Sequence, residues 1–237
     1  MNRVFITGAS SGLGRALAQQ YAASGATLGL LGRREDALRE LAASLPGEHR
    51  CYAVDVRDRA ALHAAAADFI AFCQGRVDVV IASAGISAGT LTEHGEDYDV
   101  FKAIVDTNLL ATVATFEPFV GAMRAAGAGR LVGIASVAGV RGLPGAGAYS
   151  ASKSAVVTYC ESLRLELAAD GIRVVTIAPG YIKTAMTAKN PYSMPFLMEA
   201  DAFAQRAHAA IERGTSYKVI PWQMGVVAKL MLSLIHI

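Results

Sequence analysis

Short apolar runs alternate with longer stretches of helical periodicity along the chain. The apolar runs are rich in Val, Ile and Leu at successive positions, which predicts strands buried on both faces. They cover residues 3–7, 26–31, 50–54, 77–82, 130–135, 172–177 and 216–220. The stretches between them predict helices over 12–24, 34–44, 58–73, 98–126, 147–169 and 199–213, the fourth of these bent near Pro118. This alternation is typical of a Rossmann-type, doubly wound α/β fold, with a mostly parallel seven-stranded sheet and helices on both faces.

Composition narrows the class of protein. The chain has 237 residues, 53% of them hydrophobic and 18% charged, and no linker-like segment divides it. We therefore expect one domain over residues 1–237. The net charge of +2 disfavours nucleic acid or an anionic membrane as the main partner. No leader pattern and no run long enough for a membrane span is present, which predicts a cytoplasmic protein.

The three cysteines, Cys51, Cys73 and Cys160, lie far apart, and no Cys/His cluster accompanies them. Their spacing predicts free thiols in a reducing compartment and no metal site.

The end of the chain is unusual. An apolar segment begins near Met224 and stops at Ile237 without a polar end. Residues 232–237 resemble a translated sequencing adapter joined to a truncated gene. A genuine apolar terminus is the equally open alternative.

The first predicted strand runs into the glycine-rich segment Thr7–Gly14, and the first predicted helix follows. Glycines permit a tight turn and a close approach of the backbone to a pyrophosphate, which the helix N-terminus then attracts. No Gly-Lys-Ser/Thr follows, which disfavours a P-loop. The predicted phosphate-binding residues are Gly8, Ser10, Ser11, Gly12, Leu13 and Gly14.

Two arginines follow the second predicted strand. A carboxylate at this point would bind the adenosine 2′-hydroxyl of NAD(H). Arg33 and Arg34 can instead bind the 2′-phosphate that NADP(H) carries. We therefore expect NADP(H) rather than NAD(H). Alternatively, both are solvated residues at a helix start.

Tyr149 and Lys153 are four residues apart and so lie on one side of a helix. A nearby ammonium lowers the pKa of a phenol, which makes it a usable acid or base near neutral pH. Ser136 ends the fifth predicted strand at the carboxyl edge of the sheet, where its hydroxyl could hold a substrate oxygen. Its alternative role is an ordinary turn hydrogen bond.

The TGxxxGxG spacing and the Tyr-x-x-x-Lys pair resemble the short-chain dehydrogenase/reductase family, over residues 3 to about 220. The resemblance implies an oxidoreductase that interconverts a carbonyl and an alcohol, with Asn108, Ser136, Tyr149 and Lys153 as its catalytic residues. Asn108 would sustain a water relay to the lysine, although it could equally be a polar residue on a helix face. The resemblance also implies that Asp55 contacts the adenine, although Asp55 could instead cap a helix.

Two further segments carry the resemblance. Ser83-Ala84-Gly85 stands where the family usually has Asn-Ala-Gly, so the usual asparagine bridge is lost. Pro179-Gly180, with Ile182 and Thr184, matches a segment whose backbone holds the nicotinamide carboxamide. The implied cofactor-binding set is completed by Asp55, Val56, Ser83, Ala84, Gly85, Tyr149, Lys153, Pro179, Gly180, Ile182 and Thr184.

Substrate choice is expected to reside in residues 184–214, which contain Met186, Pro191, Tyr192, Met194, Pro195, Phe196, Leu197 and Met198. Such side chains make an adaptable apolar wall, which favours an apolar ketone, aldehyde or acyl-type substrate; core packing is the equal alternative. An NADP(H)-binding redox sensor without turnover is the alternative of a different class. Association through helices 98–126 and 147–170 would resemble the dimers and tetramers of the family.

Overall fold

The computed structural model describes residues 2–188, 190 and 193–233. Seven parallel strands form one sheet in the order β3-β2-β1-β4-β5-β6-β7. They are β1 Arg3–Thr7, β2 Thr27–Gly32, β3 His49–Ala53, β4 Val79–Ala82, β5 Gly129–Ile134, β6 Ile172–Pro179 and β7 Tyr217–Ile220. The doubly wound fold predicted from the alternating pattern is confirmed.

The helices fall where the sequence predicted them, with two differences: one predicted helix is divided and one helix, α8, is added. They are α1 Gly12–Ala23, α2 Glu35–Ser44, α3 Arg59–Phe72, α4 Asp97–Val105, α5 Ala111–Ala126, α6 Gly147–Glu166, α7 Ala200–Glu212 and α8 Trp222–Ser233. The predicted helix 98–126 is divided by a π-helical turn, Asp106–Leu110, while Pro118 lies inside α5. Sequence periodicity missed α8 because that segment is apolar on most sides, so no narrow stripe marks it as a helix.

Two predictions lie partly outside the described residues. Of the segment 232–237, Leu232 and Ser233 complete α8, and residues 234–237 fall outside. Pro191 and Tyr192 of the predicted substrate segment also lie outside the described residues.

Each face of the sheet buries its own hydrophobic cluster. Val4 and Ile6 of β1 face α1, α2 and α7, whereas Phe5 between them faces α3 and α5. Phe5 contacts the rings of Phe69 and Phe119 at centroid distances of 5.5 and 4.9 Å. Gly29 leaves room for this packing, since a Cβ there would lie 2.6 Å from the Phe5 ring. Burial on both faces explains why the strands read as continuous apolar runs.

The winding reverses between β1 and β4, which neighbour each other in the sheet but not in the chain. Doubly wound sheets open a crevice at the carboxyl ends of the strands at such a switch point. The loops after β1 and β4 touch there, since a Cβ on Gly8 would lie 2.8 Å from the Ala84 Cα. The topology therefore brings together loops that are far apart in sequence.

Within the described ranges, no helix combines the length and the apolar character needed to cross a membrane. The same residues contain no group of three or more His, Cys, Asp or Glu side chains placed to hold a metal ion.

Candidate active site

A cavity of about 610 Å³ opens at the carboxyl edge of the sheet. Loops that follow the first six strands form its walls, and α6 contributes Tyr149 and Lys153. Every predicted site residue except Asn108 lines it. The lining therefore includes Gly8, Ser10, Ser11, Gly12, Leu13, Gly14, Arg33, Arg34, Asp55, Val56, Ser83, Ala84, Gly85, Ser136, Tyr149, Lys153, Pro179, Gly180, Ile182 and Thr184.

The glycine-rich loop presents bare backbone to this cavity. Gly8 and Gly12 have φ of 69° and 56°, a left-handed conformation that side chains disfavour. A Cβ on Gly14 would collide with the Gly8 carbonyl oxygen. Ser11 precedes α1 in an extended conformation without capping the helix through its side chain, and the first turn carries no acid. The first N–H groups of α1 thus remain available to an anion, as a pyrophosphate requires.

The two arginines after β2 have different surroundings. Arg34 Nη2 donates to the carbonyl oxygen of Ser10 at 3.1 Å and reaches its Oγ at 3.3 Å. It therefore braces the glycine-rich loop. Arg33 is exposed and, within the described part of the chain, makes no side-chain hydrogen bond or ion pair. Its guanidinium is the one left free to bind a ligand.

Asp55 forms an ion pair with Arg57, which was not among the predicted site residues. Arg57 donates to both carboxylate oxygens of Asp55, with the closest contact at 2.7 Å. These bonds hold the pKa of Asp55 below its ordinary value. The helix-capping alternative is excluded for Asp55, because Asp58 caps α3 by accepting from Ala61 N at 3.0 Å.

The Ser83-Ala84-Gly85 segment is supported from β1. Thr7 Oγ1 accepts from the N–H groups of Ser83 and Ala84 at 3.2 and 3.3 Å. The Ser83 Oγ is buried, and no described residue hydrogen-bonds it. A Cβ on Gly85 would lie 3.2 Å from Asn108 Oδ1 and 3.4 Å from Lys153 Nζ. Gly85 therefore permits close packing between the β4 loop and the floor of the cavity.

Asn108 lies in the π-helical turn and is fully buried beneath the cavity. Its Oδ1 accepts from Ile86 N at 2.8 Å, and its Nδ2 donates to Ile86 O and to Ser152 Oγ, each at 3.0 Å. Ser152 Oγ donates in turn to the Tyr149 carbonyl oxygen at 2.8 Å. Asn108 therefore ties the β4 loop to the turn of α6 that carries Tyr149, as π-bulges at functional sites often do.

Lys153 and Tyr149 meet at the inner end of the cavity. The Lys153 ammonium lies 5.8 Å from the centroid of the Tyr149 ring and donates to the Ile134 carbonyl oxygen at 2.8 Å. Burial lowers the pKa of Lys153 to about 8. Ser136 Oγ accepts from Ala138 N at 3.1 Å. That bond leaves the hydroxyl proton of Ser136 available to a substrate oxygen.

The predicted substrate segment divides into parts with different surroundings. Met186 lines the cavity, together with its neighbours Ala185 and Thr187. Phe196 and Leu197 are exposed, whereas Met198 packs against the core. The remainder forms α7, whose buried face packs against α1. Only the start of the segment therefore shapes the cavity among the described residues.

Several lining residues were not predicted: Val54, Arg57, Ile86, Thr107, Ile134, Ala135, Ala185 and Thr187. Most of them adjoin predicted site residues at strand ends. They would have been predicted if the one or two residues on either side of each motif had been included, because neighbours of a strand's carboxyl end lie at the same edge of the sheet.

The fold and this cavity define a dinucleotide-binding α/β protein with a tyrosine–lysine pair. Residues 2–194 match the family model described as short chain dehydrogenase. The chain belongs to the short-chain dehydrogenase/reductase family, whose members are oxidoreductases that interconvert carbonyls and alcohols.

Individual relatives agree with this assignment. The chain is 38% identical over 230 residues to an uncharacterized oxidoreductase of Myxococcus xanthus, covering 95% of this chain and 89% of the relative. It is 37% identical to a 2-dehydro-3-deoxy-L-rhamnonate dehydrogenase (NAD(+)) of a Sphingomonas strain, covering 79% and 75%. The fold is similar to a short-chain dehydrogenase from Sphingobium yanoikuyae in complex with NADPH, with a TM-score of 0.82 at 23% identity over 99% of this chain and 95% of that one.

Proposed function

We propose that this oxidoreductase uses NADP(H) to reduce an apolar ketone, aldehyde or acyl-type carbonyl, with Tyr149 as the general acid. One observation carries the proposal: a buried ammonium, Lys153, lies beside the Tyr149 ring in a cavity that Ser136 also lines. Burying a lysine is costly unless its charge is used, and the neighbouring phenol is a group that can use it.

The residues present fit a nicotinamide dinucleotide. The bare backbone around Gly8 and Gly12 and the uncapped start of α1 suit a pyrophosphate. Arg33, free of protein partners among the described residues, suits a 2′-phosphate, and the absence of a carboxylate at the end of β2 removes the usual preference for NAD(H). When bound, the cofactor would supply or accept the hydride.

The side chains of the protein supply the proton that the reaction needs. Carbonyl reduction adds one hydride to carbon and one proton to oxygen. The Tyr149 hydroxyl gives its proton to the substrate oxygen, while Ser136 Oγ donates a hydrogen bond to the same oxygen. The Lys153 ammonium stabilises the phenolate that remains, until solvent returns a proton to it. Oxidation of an alcohol uses the same residues in reverse.

The cavity wall supports an apolar substrate. Ile86, Ala135, Ala185 and Met186 supply hydrocarbon, and the one carboxylate on the described lining, Asp55, is engaged by Arg57. A cationic substrate would find no unpaired carboxylate on this lining, whereas a hydrophobic carbonyl would be desolvated favourably.

We also propose a cytoplasmic enzyme that assembles as a homodimer or homotetramer. Cys51, Cys73 and Cys160 are free thiols, which suits a reducing compartment. Leu110, beside α5, and Leu165, on α6, are 55% and 83% exposed, so the helices proposed to associate carry apolar side chains that a partner could cover. A molar mass from light scattering that equals one chain, 24.7 kDa, would contradict the assembly.

The enzymatic proposal is tested by mixing purified protein with NADPH and a panel of apolar ketones and aldehydes, and following loss of the reduced nicotinamide absorbance. Turnover with NADPH in excess of that with NADH is the expected result. Tight NADPH binding without turnover in either direction would instead identify a redox-sensing module.

A further inference from the structure

The carboxyl ends of β2 and β3 bring opposite charges together at one end of the candidate active site. The two strands pair in register up to Gly32 and Ala53, and the Val54 N–H donates to the Gly32 carbonyl oxygen at 3.0 Å. Arg33 follows Gly32 directly, Asp55 follows Ala53 two positions later, and both line the cavity. The register therefore places Asp55 near the guanidinium that is proposed to bind a 2′-phosphate.

Arg57 neutralises the Asp55 carboxylate through contacts within a single turn. Its backbone N–H donates to Asp55 Oδ1 at 3.0 Å, and its Nε and Nη2 donate to the two carboxylate oxygens at 3.1 and 2.7 Å. The side-chain hydrogen bonds from Arg57 are the main cause of the lowered pKa of Asp55, and the charge of Arg33 contributes as well. Asp55 is therefore an anion at neutral pH that lies within electrostatic range of Arg33.

A bare carboxylate at this position would disfavour NADP(H). A phosphate monoester carries about −1.5 to −2 charges near pH 7, so a 2′-phosphate bound to Arg33 would be repelled by the Asp55 charge that Arg33 already senses. NADH lacks this phosphate and would not be repelled. An unpaired Asp55 would therefore shift the preference of the cavity toward NAD(H).

The other acidic group near Arg57 already has a partner. The charge of Asp106 acts on Arg57, but the Asp106 carboxylate accepts from Lys102 Nζ at 2.5 Å. Asp55 is the one carboxylate among the described lining residues. The charge at this end of the cavity is therefore set by Asp55, Arg57 and Arg33.

We infer that Arg57 is a specificity-determining residue for the cofactor: by neutralising Asp55, it permits a 2′-phosphate to bind on Arg33. This role rests on the proposed use of NADP(H) and names the residue that permits it. Arg57 acts through the charge of Asp55 and needs no contact of its own with the phosphate. The side chains of Arg57 and Asp55 are 46% and 30% exposed, so salt should screen the effect.

Four proteins test this role by varying the net charge of the pair. The pair is neutral in the parent and in the double variant Arg57→Gln/Asp55→Asn, negative in Arg57→Gln and positive in Asp55→Asn. The fluorescence of the reduced nicotinamide gives the Kd for NADPH and for NADH, and the ratio of the NADH Kd to the NADPH Kd is the readout. Any contact of Asp55 with the adenine is common to both cofactors, so its loss cancels in this ratio.

We expect the ratio to fall about three- to tenfold in Arg57→Gln and to rise by a similar factor in Asp55→Asn. In the double variant it should return to within about twofold of the parent. Both changes should shrink at high ionic strength. Arg59→Gln is the matched control, because Arg59 pairs with Glu117 at 2.9 Å and does not line the cavity. It should leave the ratio within about twofold, and circular dichroism verifies that each variant is folded.

Equal weakening of both cofactors in Arg57→Gln would show that Arg57 only supports the loop, and would overturn the inference. A ratio that fails to rise in Asp55→Asn would overturn it too, since a purely structural role predicts no gain in that variant. A parent that binds NADH as tightly as NADPH would instead contradict the proposed cofactor preference. In that case the direction of the ratio across the four proteins still decides the role of Arg57.

Discussion

Lys153 Nζ donates a 2.8 Å hydrogen bond to the carbonyl oxygen of Ile134, the last residue of β5. Ser136 follows two positions later, and Tyr149 lies one helical turn before Lys153 on α6. This one contact therefore fixes the α6 side chains relative to the strand that leads to Ser136. Gly139 reinforces the arrangement, because a Cβ there would lie 2.8 Å from the Lys153 carbonyl carbon.

Removing the Tyr149 hydroxyl should reduce turnover severely without disturbing the fold. Tyr149→Phe should lower kcat by about 10²–10⁴-fold, since the proton donor is lost, while NADPH affinity stays within about threefold. Steady-state kinetics and NADPH fluorescence measure the two quantities. Tyr159→Phe is the matched control, because Tyr159 lies on the same helix but stacks against Phe116 away from the cavity. Comparable losses in both variants would contradict the assignment.

The burial of Lys153 should appear in the pH dependence of stability. Its pKa is about 8 in the folded protein against 10.5 ordinarily, so the unfolded chain binds more protons between these values and stability rises with pH there. Below pH 8 the full cost is present, about 3 kcal/mol. Lys153→Met removes this cost. The free energy of unfolding of the variant minus that of the parent should therefore be about 2–3 kcal/mol larger at pH 7 than at pH 10.

Urea unfolding of both proteins without cofactor at the two pH values measures this difference. The hydrogen bond to Ile134 is made by an ammonium at pH 7 and by a neutral amine at pH 10, and this difference is already contained in the pKa of Lys153 in the folded protein. A pH-independent difference would show that Lys153 is not desolvated as the structure indicates.

Cofactor selectivity should depend on Arg33. Arg33→Ala should weaken NADPH binding about 10–100-fold and leave NADH binding unchanged, because only NADPH carries the 2′-phosphate. Arg34→Ala should weaken both cofactors, since Arg34 supports the Ser10 carbonyl oxygen in the loop common to both. Arg39→Ala, which breaks only an exposed pair with Glu35, is the control. Equal effects of Arg33→Ala on both cofactors would exclude a 2′-phosphate contact.

Asn108 should contribute more to stability than other asparagines. Asn108→Ala removes three hydrogen bonds at once, two to the partly buried backbone of Ile86 and one to the buried Ser152 Oγ, which should lower the free energy of unfolding by about 2–4 kcal/mol. Asn2→Ala removes a single half-buried bond to Glu212 and should cost about 1 kcal/mol or less. Chemical denaturation compares the two. A small effect of Asn108→Ala would mean that Ile86 finds other partners.

Most of the fold could be predicted from the sequence. Strands buried on both faces produce apolar runs, and the helices between them carry their own periodicity, so order and type follow from local pattern. The glycine-rich loop, Tyr149 and Lys153 were likewise recognisable, because their chemistry depends on short spacings along one turn or one helix face. α8 was missed because it lacks a polar face, and the π-helical turn because one extra residue per turn leaves no mark in composition.

The sequence by itself determined which residues could do chemistry and the α/β layers that would carry them. Only the tertiary structure decided how they are paired: Arg57 with Asp55, Arg34 with Ser10, Asn108 with Ile86 and Ser152. The physical reason is that parallel strands bring their carboxyl ends together regardless of sequence separation, whereas a side chain's partner and its burial depend on packing across elements that no local pattern records.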